Sequence, residues 1–307
     1  MSSLNTNAAA MTALQTLSQT NKNLSIIQNR IATGFRVSEA ADNAAYWSIA
    51  TTMRSDNKAN SVLQDGLGLG AGKVDVAYTA INKALEIVDE IKEKVLAAKT
   101  AGAEDRKKIQ SEIDTYIAQL KDNIGGASYA GSNLLQTDSN VAGGKLTILS
   151  SYNRSSTGVV STGSVEVAFD KIRLIDTHTT KAGILDGANA TSTIALTAIN
   201  VSTLAGVAGA DEEAKFNNLL THVEKALGDL ATGAAELGAA KKRIDMQKDF
   251  VSSLQDAIDR GVGQLVDADM EKESARLSAL QVQQQLGIQA LSIANSNSQN
   301  ILSLFRN

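Results

Sequence analysis

The chain of 307 residues contains no cysteine and no proline, and aromatic residues make up only 4% of it. Without cysteine, neither a disulfide nor a thiolate metal site can form. Without proline, no slow X-Pro isomerisation delays folding and no long helix is interrupted. Two explanations for the missing proline stay open: long-helix proteins avoid it, or this chain is unfolded and must refold quickly. The few aromatics favour narrow seams of small and aliphatic side chains over one large rounded core.

Charge is missing from both ends of the chain. The first charged side chain is Lys22, and none lies between Arg276 and Arg306. Each end nevertheless carries apolar residues at helical spacing: Met11, Leu14, Leu17, Leu24, Ile27 and Ile31 at the front, and Leu277, Leu280, Leu291, Ala294, Ile301 and Phe305 at the back. A soluble monomer rarely exposes apolar surface on this scale. We therefore expect both ends to be buried against other molecules, which predicts self-assembly.

The remaining composition excludes several classes of partner. A formal net charge of -4, with bases and acids interleaved, argues against binding to nucleic acid. Membrane insertion is not expected, because the longest apolar stretch is interrupted by Gln283, Gln284, Gln285 and Gln289. The N-terminus lacks the basic and apolar regions of a cleaved secretion signal.

Hydrophobic periodicity predicts helices from about Leu4 to Ala32, Asn43 to Ala98 and Glu104 to Asn123, and again from Asp211 onward. The last segment has a sustained coiled-coil alternation of fours and threes. Its members are Phe216, Leu220, Val223, Leu227, Leu230, Ala234, Leu237, Ile244, Val251, Ile258, Val262 and Leu265. The phase slips after Leu265, so we expect a break between Val266 and Ser274.

The middle of the chain is rich in Ser, Thr and Gly and alternates with period two. Lys145–Leu149 and Val165–Phe169 are predicted strands around a turn at 155–158, and Ile194–Ile199 is a possible third strand. The predicted fold class is mainly α with a small β insertion. Both chain halves form a long antiparallel helical bundle or coiled coil, and the mid-chain lobe contains a β-hairpin.

No catalytic, cofactor or metal site is expected. The glycine-rich stretch ending at Lys73 has the spacing of neither a phosphate loop nor a dinucleotide fingerprint, so its glycines indicate a tight helix contact: Gly66, Gly68, Gly70 and Gly72. We expect His178 in a surface loop and His222 on a polar helix face, and neither suggests zinc. Four acids from Asp267 to Glu273 lack EF-hand spacing. The chain is therefore not expected to be an enzyme.

Both ends resemble one protein family. The N-terminal similarity lies in Leu4–Asn7, Arg30–Val37 and Ala40–Ala45, and the C-terminal similarity in Leu265–Glu271, Gln283–Gly287, Ser292–Asn295 and Ile301–Arg306. These stretches are similar to the two ends of bacterial flagellins and occur in the same order.

The resemblance implies a structural subunit of the flagellar filament, the helical propeller for swimming. It implies an extracellular filament exported unfolded by the flagellar type III apparatus. The implied partners are other copies of the chain, sibling flagellins, the filament cap, hook–filament junction proteins and an export chaperone. Alternatives are a hook–filament junction protein, a monomeric coiled-coil adaptor, and a flagellin-like protease, whose HExxH motif is absent.

The resemblance also implies three layers. Residues 1–44 with 268–307 form the inner coiled-coil domain, 45–140 with 208–267 the helical rod, and 141–207 a small solvent-facing β-rich region. The subunit-interface residues of the filament core would be Leu14, Leu17, Leu24, Ile27, Ile31, Leu277, Leu280, Leu291, Ala294, Ile301 and Phe305.

Two further sets of residues follow from the resemblance. The junction between layers would contain Arg36, Asp42, Tyr46, Trp47, Asp267 and Asp269, where Tyr46 and Trp47 stand in place of the Gly-Gln common in the family. Many flagellins are bound by a vertebrate innate immune receptor through an Arg-bearing stretch of the first core helix. The aligned candidate region contains Asp89, Glu90, Lys92 and Glu93. Because Glu90 stands where the first Arg is expected, we predict weak activation, unless Lys92 substitutes for that Arg.

Overall fold

The computed structural model describes residues 7–140, 144–155, 157–179, 181–187 and 194–304, and side chains as far as residue 296. Five α-helices make up most of this part of the chain. They are α1 (Ala8–Thr33), α2 (Ala44–Thr100), α3 (Ala103–Gly126), α4 (Glu212–Val266) and α5 (Met270–Leu304). The prediction of a mainly helical protein with a small β insertion is confirmed.

The helix ends follow local chemistry. The Asn7 side chain accepts a hydrogen bond from the backbone N–H of Ala10 at 3.0 Å and caps α1. The helix ends where Gly34 adopts a φ of 75° and donates its N–H to the Arg30 carbonyl. Helices α4 and α5 are separated by residues 267–269, inside the range predicted for the break.

The β structure consists of three two-stranded pairings. The strands are β1 (Ser128–Tyr129), β2 (Ser132–Asn133), β3 (Gln136–Thr137), β4 (Lys145–Arg154), β5 (Val160–Ala168) and β6 (Ile175–Asp176). Strands β4 and β5 form the predicted hairpin, with Ile148 opposite Val165 and a register shift between Leu149 and Ser151. Strands β1 and β2 are antiparallel, and β3 and β6 are parallel.

The third predicted strand is wrong. Leu196–Ala198 form a 3-10 helix instead. The neighbouring backbone is bound by a side chain, because Gln110 donates to the Ile199 carbonyl at 3.0 Å and accepts from the Val201 N–H at 2.7 Å. Hydrogen-bonding groups that a strand would pair with another strand are thus occupied by an amide on α3.

The described chain divides into two compact units. One contains the residues up to Lys58 and those from Gln255 onward, and the other runs from Ala59 to Leu254. In the second unit, α2, α3, α4 and the hairpin share one core whose largest fully buried side chains include Leu67, Ile81, Ile91, Ile113, Leu120 and Phe216. This is where most of the buried apolar surface of the described chain lies.

Helices α2 and α4 are antiparallel in the second unit and keep one register. Lys92 Nζ lies 2.7 Å from Glu224 Oε1, and Lys99 Nζ donates to Asn217 Oδ1 at 2.8 Å. Each step forward along α2 is matched by an equal step back along α4.

In the first unit, α1 and α5 are antiparallel. Asn7 Nδ2 donates to the Ala294 carbonyl at 2.9 Å, and Gln284 Nε2 donates to Asn21 Oδ1 at 2.7 Å. A separate small cluster contains the buried residues Val37, Ala50, Val262 and Val266. Aside from this cluster, the unit buries little apolar surface among its described residues.

The glycine-rich stretch lies inside α2 without interrupting it. A Cβ added at Gly70 would lie 2.6 Å from Ile148 Cδ1, and one added at Gly72 would lie 2.7 Å from Tyr129 Cζ. A tight contact is thus confirmed at these two positions, whereas Gly66 and Gly68 face open space.

The expectation that His222 lies on a polar helix face is wrong. Its side chain is buried on α4, where it lines a recess together with Gly183 and Ile184. The loop that contains these two residues covers a face of α4 that periodicity alone assigned to solvent. Burial, and then the nearby charge of Lys225, lowers the pKa of His222.

Candidate assembly interface

Most of the predicted interface stripe lies along the contact between α1 and α5 of one chain. The half-buried members are Leu17, Leu24, Ile31, Leu277, Leu280, Leu291 and Ala294, and Ile27 is buried. The same alternation on α5 includes Gln284, which binds Asn21, and Gly287, whose added Cβ would lie 3.3 Å from Leu17 Cδ1. Leu14 is exposed. The side chain of Ile301 and all of Phe305 lie outside the described residues.

A second set of apolar side chains on the same two helices faces away from the pair. Their exposed fractions run from 49% to 65%. They are Met11 and Ile26 on α1, and Val282, Leu286, Ile288 and Ile293 on α5. The predicted stripe does not include the α5 members, because they lie at positions between those of its alternating three- and four-residue spacing. Their signal in the sequence is that α5 has apolar residues on every face, which is typical of a helix buried all round.

The layer-junction residues Arg36 and Asp267 lie where the chain passes between helices. Phe35 and Asp267 form an antiparallel bridge. The Arg36 N–H donates to the Val266 carbonyl at 2.7 Å, and the Ala268 N–H donates to the Gly34 carbonyl at 2.8 Å. The bend after α1 and the break before α5 are therefore held together by backbone hydrogen bonds.

Side chains complete this junction. Asp42 accepts the backbone N–H groups of Ser38 at 2.9 Å and Glu39 at 3.2 Å. Those two hydrogen bonds, that of Ser38 first, lower the pKa of the Asp42 carboxyl. The Arg36 guanidinium lies 5.9 Å from the centre of the Tyr46 ring.

The other two predicted junction residues have different surroundings. Asp269 caps α5, because its Oδ1 accepts the Lys272 N–H at 3.1 Å. Trp47 is 38% exposed on the first turn of α2. A large aromatic that is only partly covered leaves apolar surface at the junction.

Sequence reasoning missed the charge cluster at the base of α5. Glu273 is only 4% exposed. Its Oε1 lies 3.7 Å from Arg30 Nη1 and 3.5 Å from Arg276 Nη1. An acid in the first turn of α5 and a base in the last turn of α1 each complement the helix dipole at their end. In the sequence, Glu273 stands out only as one of four acids whose spacing does not suit calcium.

The candidate receptor segment is mostly exposed and acidic. Asp89, Glu90 and Glu93 are exposed on α2. Lys92 is held by Glu224, and this hydrogen bond raises the pKa of the lysine. The one base of the segment therefore already has an acidic partner in its own chain.

The described residues also bear on metal binding and on membrane insertion. Within them, no group of three or more His, Asp or Glu side chains is placed to hold a metal ion. None of the helices in this part of the chain is long and apolar enough to cross a membrane.

Known proteins resemble the chain along its whole length. Residues 4–140 match the bacterial flagellin N-terminal helical region, and residues 220–305 match the bacterial flagellin C-terminal helical region. The flagellin of Brucella melitensis biotype 1 is 54% identical over 307 residues, with 100% of both chains covered. Flagellin C of Rhizobium meliloti strain 1021 is 47% identical over 321 residues, again with 100% of both chains covered.

A crystal structure of the flagellin from Bacillus cereus overlaps 62% of this chain and 88% of that one, with 16% identity and a TM-score of 0.39. This overlap is too limited to support a comparison of the two folds. The full-length matches do not favour the hook–filament junction protein over the filament subunit. The chain belongs to the bacterial flagellins and is a structural subunit of the flagellar filament.

Proposed function

We propose that the two ends of the chain, 1–44 with 268–307, form the inner coiled-coil layer of the filament. In this proposal 45–140 with 208–267 form the surrounding helical rod, and 141–207 faces solvent. The observation that carries it is the outward apolar face of the α1–α5 pair, because such a face is unstable in water unless another molecule covers it.

In this proposal the paired helices α1 and α5 together form the interface of the filament core. The buried and half-buried stripe residues Leu17, Leu24, Ile27, Ile31, Leu277, Leu280, Leu291 and Ala294 join the two helices. Leu14, Ile301 and Phe305 complete the proposed set of interface residues, and the other apolar side chains of the pair face neighbouring copies. The junction set (Arg36, Asp42, Tyr46, Trp47, Asp267 and Asp269) fixes this pair to the rod. The backbone hydrogen bonds between Gly34–Val37 and Val266–Ala268 support that role.

A pair of insertions tests the radial arrangement. Four residues inserted between Ser155 and Gly158 should leave assembly intact, because a surface loop tolerates added length. The same four residues inserted at Gln284 should stop assembly, because they shift every following side chain of α5 by about 6 Å along the helix axis and by about 40° around it. Electron microscopy after seeding measures both. Equal sensitivity of the two sites would refute the layer arrangement.

We also propose that the chain has no catalytic role and works outside the cell, after export as unfolded chain through the flagellar type III apparatus. The filament cap, hook–filament junction proteins and an export chaperone are its proposed partners besides other copies and sibling flagellins. The absence of proline and cysteine supports this route, since neither isomerisation nor crosslinking can trap the unfolded chain. A mutant lacking the export apparatus should retain the protein in the cytoplasm. Its appearance in the culture medium of that mutant would contradict the proposed route.

For the innate receptor we propose weak activation. Glu90 stands in place of the first Arg that the family stretch carries, and Lys92 is engaged by Glu224. An arginine fork at an interface centre is worth about 2 kcal/mol or more. A receptor-reporter assay on monomer should therefore give a weak signal that rises with Glu90→Arg, while the matched exposed control Glu104→Arg leaves it unchanged. Full potency of the unmodified monomer would refute this proposal.

A further inference from the structure

A polar recess of about 420 Å³ lies between α4 and the loop that follows β6. His222 and Ala226 of α4 are buried in its lining, and each is only 3% exposed. The loop residues 181–184 and Gly187 form another part of the lining. A volume of this size lies in the lower part of the range for sites that bind small molecules. The recess is therefore a candidate for a small ligand.

Three lysines from three different elements surround the recess. Lys171 ends the 3-10 helix after β5, Lys181 lies in the loop after β6, and Lys225 lies on α4. Two acids, Asp170 and Asp229, also line the recess, so three basic side chains stand against two acidic ones. A concave site with an excess of positive charge attracts anions.

These lysines have hydrogen-bonding capacity left for a ligand. Lys181 is exposed and forms no salt bridge to any described residue. Lys171 Nζ lies 3.9 Å from Glu236 Oε2, which is an ion-pair distance but is too long for a hydrogen bond. An ammonium group has three donors, so Lys225 keeps two after it donates to Asp229.

The loop side of the recess is held in place by two buried carboxylates. Asp176 Oδ2 accepts the N–H of Ala182 at 2.9 Å, and Asp186 Oδ1 accepts the N–H of Gly183 at 2.9 Å. Next to Ala182, Lys181 adopts a φ of 47°. A non-glycine residue keeps this left-handed conformation only where the surrounding structure enforces it. A preformed lining of this kind lowers the entropic cost of binding.

Other groups in the lining suit the hydroxyls of a sugar. Asp229 accepts from Lys225 through Oδ2, which leaves Oδ1 to accept from a ligand. The Thr232 hydroxyl donates to the Gly228 carbonyl at 2.9 Å, so its oxygen can still accept a hydrogen bond. The lining thus offers ammonium donors for an anionic group beside acceptors for neutral hydroxyls.

We propose that the recess binds a monosaccharide that carries one anionic group. The carboxylate or phosphate of this ligand contacts Lys171, Lys181 and Lys225, and its ring hydroxyls contact Asp229 and Thr232. Sugar acids and sugar phosphates share this chemistry. The site belongs entirely to the unit from Ala59 to Leu254, so the proposal does not depend on filament assembly or on the layer assignment of the chain ends.

Calorimetric titration of the full-length monomer tests the ligand class. Glucuronate and glucose 6-phosphate are the anionic probes, while glucose and inorganic phosphate each carry only half of the proposed chemistry. At least one anionic probe should bind with a Kd of about 1 mM or below, and both controls should bind at least about tenfold more weakly. The better probe distinguishes a carboxylate from a phosphate ligand. Weaker binding of both anionic probes, or a control that binds within tenfold of the better one, would overturn the proposal.

Variants and one titration locate the bound ligand. Lys181→Gln should weaken binding of the better probe at least about fivefold, because it removes a charge-assisted hydrogen bond. The control Lys248→Gln, which is exposed on α4 outside the recess, should leave binding unchanged. A bound anion favours the protonated imidazole, so NMR should show the pKa of His222 rising when the probe is added. Unchanged binding in Lys181→Gln, or an unchanged pKa of His222, would overturn the assignment of the ligand to this recess.

Discussion

The two units of this flagellin use their apolar residues in opposite ways. Between Ala59 and Leu254, apolar side chains of three helices and a hairpin converge on one closed core. In the other unit the two long terminal helices touch mainly each other, and their outer faces keep side chains such as Leu286 and Ile293 in contact with water. The unit from Ala59 to Leu254 has what it needs to fold alone. The unit with the two terminal helices is stable only as far as one helix pair can be, until other copies cover it.

The largest effect should follow from removing Leu277 to Asn307. The filament should not form, while circular dichroism shows loss of helix confined to about the deleted length, because the core of the other unit does not involve these residues. Limited proteolysis of the full-length monomer should likewise trim the terminal helices first and leave the core. Normal filaments from the truncated chain would remove the distinction between the units.

A matched pair of truncations compares the two regions directly. Phe216 is fully buried in the core, so Phe216→Ala should lower the free energy of unfolding of the monomer by about 3–5 kcal/mol. Leu286 is exposed on α5, and Leu286→Ala should change monomer stability by less than about 0.5 kcal/mol. Its effect should instead appear as a raised critical concentration for polymerisation. Urea unfolding and sedimentation measure these quantities, and a large loss of monomer stability in Leu286→Ala would contradict the comparison.

Glycine substitutions test the packing inside the unit from Ala59 to Leu254. A Cβ at Gly70 would collide with Ile148, so Gly70→Ala should destabilise by about 1–2 kcal/mol. A Cβ at Gly68 meets open space, so Gly68→Ala should stabilise by about 0.5–1 kcal/mol through its higher helix propensity. Denaturation midpoints of the two variants should therefore move in opposite directions. Movement in the same direction would mean that the glycine stretch is not packed as described.

The smallest effect concerns pH. Burial lowers the pKa of His222, so the unfolded chain binds a proton there before the folded one does. Stability from this residue is complete above the unfolded pKa of about 6.5 and decreases as the pH falls below it toward the folded pKa. His222→Gln should flatten the pH dependence of unfolding in that window, and His178→Gln serves as the control. An unchanged profile in His222→Gln would show that other groups cause the dependence.

The helices and their ends could be predicted from the sequence where hydrophobic periodicity is strong and the end of a helix has a clear local signal. The end of α1 at Gly34 and the break after Val266 are marked by a glycine in the left-handed region and by a phase slip. His222 was misassigned because a loop from a distant part of the chain covers it, and no local pattern reports such cover. Leu196–Ala198 was misassigned because Gln110, far away in sequence, binds the backbone beside it.

Among the interface residues, too, only those with a regular spacing along the helix could be predicted from the sequence. The stripe from Leu17 to Ala294 is predictable because two packed helices need apolar residues at alternating spacings of three and four positions. Exposed side chains such as Val282, Ile288 and Phe250 are not part of that stripe, since no described residue of this chain covers them. They become visible only when the structure shows which apolar residues its own fold leaves uncovered.

The antiparallel bridge between Phe35 and Asp267 has a mechanical consequence. Helix α1 enters it at Gly34 and α5 leaves it at Ala268, so both helices attach at the same end of the pairing. A force on the terminal helices therefore unzips the bridge one hydrogen bond at a time, beginning with Ala268 to Gly34, instead of shearing all bonds at once. Separation at low load also means easy closure, since each bond formed brings the next pair of groups into reach. A chain that starts unfolded can therefore close this junction stepwise.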